Sequence, residues 1–242
     1  MRGDAMLKKT LLLGAALIGV SISNGQNQTA PLLPDLAIDE ARVQSSLYFE
    51  IRNFSRNDCA VVEGLLTGSG KRTLMRFDVA AANQGTKDLF LGDPTQRPEL
   101  FTYSPCHKHY HFNGYASYEL LDDNGRTKVT LVKGRKQAFC LEDFEVVSPA
   151  AGPAKYTCSY QGISVGWADT YGAYLDGQWL DITGVSPAAP GHQYYLRVII
   201  NPFNVRDSGY FDSNAPAAQA MQELDYSNNA ALVPVTIPLR FK

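Results

Sequence analysis

Polar and apolar residues alternate with a period of two along several short stretches of this 242-residue chain. Leu47 to Asn53 and Thr73 to Ala80 show the pattern, followed by Tyr115 to Leu121, Thr127 to Val132, Gln178 to Thr183, Tyr194 to Asn201 and Leu232 to Ile237. A period of two puts alternate side chains on opposite faces, which is how a half-buried strand reads. Asp123-Asn-Gly125 separates two of these runs and predicts a hairpin, because Asn-Gly tolerates the positive φ angles of a type I′ turn. Seven short strands without intervening helical periodicity predict an all-β fold, an antiparallel β-sandwich with long loops and at most one or two short helices. The one helix-like stretch is Ala215 to Leu224, with Asn214 and Pro216 as cap and first-turn residues.

One apolar run does not belong to this pattern. Lys8 and Lys9 precede Leu11 to Val20, and small or polar residues follow from Ser21 to Gln26. That order is a secretory signal peptide, expected over 1–25, and the run is too short to span a hydrocarbon core of about 30 Å. A flexible lead over 26–33 and one domain over 34–242 are expected to follow, in a protein that is secreted or periplasmic and not stably inserted in a membrane. Loss of Arg2, Lys8, Lys9 and Asp4 with the signal takes the net charge from −2 to −4. An acidic chain lacks the basic footprint that nucleic acid requires, and it mildly favours cationic small molecules.

Two residue types carry candidate chemistry. Cys59, Cys106, Cys140 and Cys158 make an even count, read in an exported chain as two disulfides with three pairings open. Three of the four histidines fall within five residues, Cys106-His-Lys-His-Tyr-His111. On a strand, His107, His109 and His111 share one face at steps of roughly 6.5 to 7 Å and can converge on a metal. Imidazole suits zinc, copper, iron and nickel alike, so the triplet does not choose among them.

The Cys-His-x-His-Tyr-His run resembles the copper-binding signature of the lysyl oxidase family. The resemblance continues through Leu33-Pro-Asp-Leu36, Asn83-Gln-Gly-Thr-Lys-Asp88, Lys136-Gln-Ala-Phe-Cys-Leu-Glu-Asp143, Asp169-Thr-Tyr171, Gln178-Trp-Leu-Asp-Ile-Thr183, Asn201-Pro202 and Asp225-Tyr-Ser-Asn-Asn229. It implies Cu2+ on His107, His109 and His111, and a lysine tyrosylquinone made by coupling Lys136 to Tyr171. It further implies Asp169 as the catalytic base, and oxidative deamination of primary amines, peptidyl lysine or small alkyl amines, by O2 to aldehyde, ammonia and hydrogen peroxide. A base of this kind needs its pKa raised by burial. The resemblance pairs Cys59 with Cys106 and Cys140 with Cys158. It also implies a Ca2+ site from Asp35, the Leu36 carbonyl, Glu223, Asp225, Asn228 and Asn229, an oxygen-rich set that suits a hard cation. A capped turn around Asp225 is the other reading of that segment.

The chain departs from the family pattern in four places. Ser104 and Arg135 stand where histidines are usual, Gly177 replaces a cysteine, and Phe203 to Gln222 is longer than the corresponding connection. The pared-down cysteines suit a microbial member. Two alternatives stay open: an exported metal-binding or interaction protein that keeps the fold without the quinone, and a three-histidine zinc site that activates water.

Overall fold

The computed structural model describes residues 31–135, 139–202 and 221–239. The expected signal segment, Lys136 and residues 203–220 lie outside the described residues. No helix among the described residues is long and apolar enough to cross a membrane.

The fold is all-β and antiparallel, as the alternation predicts. One four-stranded sheet runs in the order β1 (Leu36–Ile38), β4 (Val79–Asn83), β12 (Trp167–Tyr171), β10 (Glu145–Val146). A second runs β15 (Ala230–Val235), β14 (Gln193–Ile200), β8 (Ala116–Asp123), β9 (Lys128–Lys133). A three-stranded sheet joins β13 (Trp179–Asp181), β3 (Gly70–Arg76) and β2 (Tyr48–Phe54), and β11 (Gln161–Ile163) pairs with β5 (Leu89–Gly92). The last pair is β6 (Phe101–Ser104) with β7 (His109–Phe112).

The second four-stranded sheet shows how the pattern becomes packing. Tyr194, Leu196, Val198 and Ile200 of β14 point inward, as do Ala231, Val233 and Val235 of β15, while the residues between them face outward. These side chains join Phe77, Phe112, Tyr115, Tyr118 and Leu141 in one buried core drawn from several sheets. Pro234 sits on the edge strand β15, where no inner ladder bond needs its missing N–H.

Three expectations are corrected. Thr73 to Ala80 is not one strand: β3 ends at Arg76 and β4 begins at Val79. The Asp78 N–H donates to Ser46 Oγ rather than to a ladder, and its carboxylate accepts from the Ala173 N–H at 2.7 Å, so the chain changes sheets there. The β8–β9 hairpin exists, but its loop is four residues, and only Gly125 takes a left-handed φ (+78°), so the turn is not type I′. Met221 to Leu224 are not helical. The Leu224 N–H donates to the Pro34 carbonyl and Glu223 accepts from the Leu36 N–H at 2.5 Å, tying this segment to β1. The two short helices among the described residues are instead α1 (Glu40–Ser46), capped by the Asp39 carboxylate accepting from the Arg42 N–H, and α2 (Cys59–Val62).

Candidate active site

The histidine cluster is built on a hairpin. β6 and β7 pair with Ser104 opposite His109 and Thr102 opposite His111. The turn between them, 105–108, closes through a 2.7 Å bond from the Lys108 N–H to the Ser104 carbonyl, with Lys108 at φ +62°. His107 therefore lies in the turn and not on the strand, which corrects the single-face reading. The left-handed residue folds His107 back over β7. Its Nδ1 lies 3.1 Å from His111 Nε2, which is itself 3.1 Å from His109 Nε2. Nitrogens about 2.0–2.1 Å from a shared ion in tetrahedral array stand about 3.3 Å apart, which both 3.1 Å pairs match, and all three ligand atoms lie within 4.8 Å of one another, a grouping that could hold one metal. Burial, then the neighbouring His107, lowers the His109 pKa and favours the neutral imidazole that a metal needs.

Both disulfides form with the pairing that the resemblance implies. Cys59–Cys106 fastens the histidine turn to α2, and Cys140–Cys158 closes the segment that follows Phe139. Closing loops of 47 and 18 residues restricts the unfolded chain by about 4 and about 3 kcal/mol. The double substitution Cys59→Ala/Cys106→Ala is expected to lower stability by about 2–4 kcal/mol in urea titration and to weaken metal binding. An unchanged midpoint would contradict this role.

Ser104, where the resemblance leads to a histidine, has a task of its own. Its hydroxyl accepts from the His107 N–H at 3.0 Å and donates to the Glu63 carboxylate at the end of α2. Gly177, where the resemblance leads to a cysteine, has φ +94°, a conformation strained for any side chain. Arg135 Nε donates to the Gly64 carbonyl at 3.1 Å.

Tyr171 and Asp169 come from β12, two residues apart and so on one face. The Tyr171 ring lies 4.1 Å from the Phe139 ring, centroid to centroid, and its hydroxyl donates to the Cys140 carbonyl. The Phe112 N–H donates to the Phe139 carbonyl at 2.7 Å, which joins β7 to the segment emerging from Lys136. Asp169 is 1% exposed, and its Oδ2 is buried with no hydrogen-bond partner among the described residues. Desolvation first, then the charge of Glu142, pushes its pKa well above the ordinary carboxylate range. Burial and the Asp169 charge likewise raise the Tyr171 phenol. A cavity of about 450 Å³ collects the three histidines, Phe139, Asp169 and Tyr171. Its wall also carries Glu142, Phe144 and Tyr174, which the sequence did not single out as site residues.

The residues expected at a calcium site divide. Asn228 Nδ2 donates to Asp35 Oδ1 at 3.0 Å, and Asn229 Nδ2 donates to Glu223 Oε1 at 2.9 Å. The Oδ1 atoms of Asn228 and Asn229 are buried without a donor among the described residues, as acceptors aimed at a cation would be. Asp225 instead closes its own turn, accepting from the Ser227 N–H and hydroxyl. The Leu36 N–H is held by Glu223.

The lysyl oxidase family profile matches residues 34–236. The chain belongs to the lysyl oxidase family. Among its relatives, the Protein-lysine 6-oxidase of Homo sapiens is 35% identical over 189 residues, 74% of this chain and 43% of that protein. That of Gallus gallus is 33% identical over 207 residues, 81% of this chain and 44% of that protein. That of Sus scrofa is 32% identical over 207 residues, covering 81% and 74%. The chain thus spans less than half the length of the human and chicken proteins. Several motifs that carry the family resemblance prove architectural. Asn83 accepts from the Asp35 and Gly85 N–H groups and donates to the Lys87 and Ile163 carbonyls. A Cβ on Gly85 would meet the Leu33 carbonyl at 2.5 Å. Asp143 accepts from the Ser164 N–H and hydroxyl and from the Lys155 and Tyr156 N–H groups, which shapes the Cys140–Cys158 loop. Gln178 bridges the Phe77 carbonyl and the Tyr118 hydroxyl.

Proposed function

We propose that the protein is a copper-dependent oxidase that deaminates primary amines, peptidyl lysine or small alkyl amines, to aldehydes with release of ammonia and hydrogen peroxide. The observation that carries this reading is one cavity lined by three converging imidazoles, a partly buried tyrosine and a buried aspartate whose Oδ2 has no hydrogen-bond partner among the described residues. His107, His109 and His111 would hold Cu2+, and Tyr171 with Lys136 would form the quinone. When bound, copper with dioxygen would supply the oxidising chemistry at the Tyr171 ring, and the quinone would supply a carbonyl and an electron sink for the amine.

The chain's own residues do the rest. Phe139 packs against Tyr171 with the rings tilted, and the Cys140 carbonyl holds its hydroxyl, so the ring presents one orientation to the cavity. Asp169 Oδ2, with no other partner among the described residues, is the atom that accepts the proton from the substrate carbon. Its raised pKa brings a carboxylate toward the operating range of a general base near neutral pH. Ca2+ at Asp35, Glu223, Asn228 and Asn229 would fasten the 221–229 segment to β1. The signal-like N-terminus and the fully paired cysteines support action outside the cytoplasm.

His111→Ala is expected to weaken copper binding at least about 100-fold by chelator competition, since His111 Nε2 is the nitrogen next to both of the others. The reading as a whole is tested by loading the exported protein with copper in air and following peroxide release from n-butylamine. Peroxide that requires both amine and copper is the expected result. No peroxide from any alkyl amine or lysyl peptide, with copper bound, would contradict the reading.

A further inference from the structure

Within the cavity, Glu142 is a carboxylate without an assigned task. Its oxygen and the sulfurs of Cys140 and Cys158 lie within 4.8 Å of one another. No side-chain hydrogen bond or ion pair holds it among the described residues. Asp176, the other acidic residue on the outer wall, is 2.6 Å from Arg52 and is already paired. Asp143, next in sequence, is consumed by the loop that it shapes. A half-buried carboxylate against an apolar wall loses hydration without gaining a partner, a cost that a cationic ligand removes.

The position of Glu142 is fixed relative to the reacting groups. It lines the same cavity as Asp169 and Tyr171, and its charge acts on both. Two aromatic side chains, Phe144 at 53% and Tyr174 at 71% exposure, stand on the cavity wall as apolar surfaces open to solvent. A primary amine arrives from water as an ammonium on an apolar stem, because its pKa is about 10.4 in the lysine side chain.

Resting on the amine-oxidase reading, we propose that Glu142 is the carboxylate that docks the ammonium head of the incoming substrate, while Phe144 and Tyr174 flank its stem. The cavity thereby selects cationic amines with an apolar stem over neutral or anionic ones. Docking at Glu142 sets the amine beside Tyr171 and brings the carbon to be deprotonated toward Asp169.

The test uses the copper-loaded, air-matured protein and its Glu142→Gln and Glu142→Asp variants, with two probes. One is n-butylamine, cationic at neutral pH, and the other is phenylhydrazine, uncharged there and reactive with a quinone carbonyl. For Glu142→Gln, the KM for n-butylamine is expected to rise about tenfold or more with kcat within about threefold, the size of one charge-assisted contact. Labelling by phenylhydrazine stays within about twofold, and Glu142→Asp recovers part of the lost affinity. An unchanged KM, an equal loss toward both probes, or no recovery in Glu142→Asp overturns the assignment. Absence of labelling in the unsubstituted protein overturns the amine-oxidase reading itself, and the proposal with it.

Discussion

Tyr171→Phe is expected to abolish amine oxidation and reactivity toward phenylhydrazine while leaving the fold and copper binding in place. The ring is what holds the position: it packs 4.1 Å from Phe139 and 5.8 Å from Tyr115, and phenylalanine keeps both contacts. Only the hydroxyl is lost, with its bond to the Cys140 carbonyl, at a cost of about 1 kcal/mol. The three imidazoles lie on β7 and its turn, so copper retention should not change. Without the oxygen atom there is no quinone, and the whole catalytic advantage is lost, on the order of 10⁶-fold or more. Peroxide release, copper content and a urea melt on the same preparation check this. Retained amine-dependent peroxide would show that the tyrosine is not the cofactor precursor.

Asp169→Asn carries the second large effect and separates proton transfer from cofactor formation. The carboxamide keeps the shape and the backbone contacts but cannot accept a proton, so kcat is expected to fall about 10²–10⁴-fold while phenylhydrazine still labels the protein. The raised pKa of Asp169 makes two further statements. As the base must be ionised, kcat/KM in the unsubstituted protein rises with pH through a value above the ordinary carboxylate pKa of about 3.9, and this limb disappears in Asp169→Asn. Stability runs the other way. The folded state holds the Asp169 proton to higher pH than the unfolded chain, so its contribution is complete below the unfolded value and is lost as pH rises toward the folded one. Near neutral pH the asparagine variant avoids this loss and should melt about 2–4 °C higher. A variant that is both inactive and less stable at neutral pH would argue for a packing role instead.

How much of this was legible in the sequence follows from burial. β14 and β15 alternate because one face of their sheet is buried and the other is wet, and both were readable. β4, β11 and β12 are buried on both faces or nearly so, and a strand without a solvent face loses its period of two. β12 is the strand that presents Asp169 and Tyr171, so the pattern was silent where the proposed chemistry lies. The histidines were conspicuous by count, yet the strand geometry assigned to all three missed the turn that Lys108 makes at φ +62°. Nothing local marks Tyr171 as more than a packing aromatic, and the role proposed for it rests on the family resemblance alone. Glu142 was quoted in the motif but not singled out, because an unpaired carboxylate is recognisable only when its surroundings are known. The α1 helix had a readable start in Asp39, but seven helical residues passing directly into β2 leave little periodicity to detect.

The central claim is that Lys136 and Tyr171 become one cofactor beside a three-histidine copper site. Peptide mass mapping of the exported protein after copper loading in air, with and without phenylhydrazine, tests it most directly. The account predicts that the peptides bearing Lys136 and Tyr171 are recovered joined and carrying the hydrazine, and that omission of copper leaves them separate. Separate, unmodified peptides in protein that has bound copper would contradict it, and would leave a metal-binding protein that keeps the fold without the quinone.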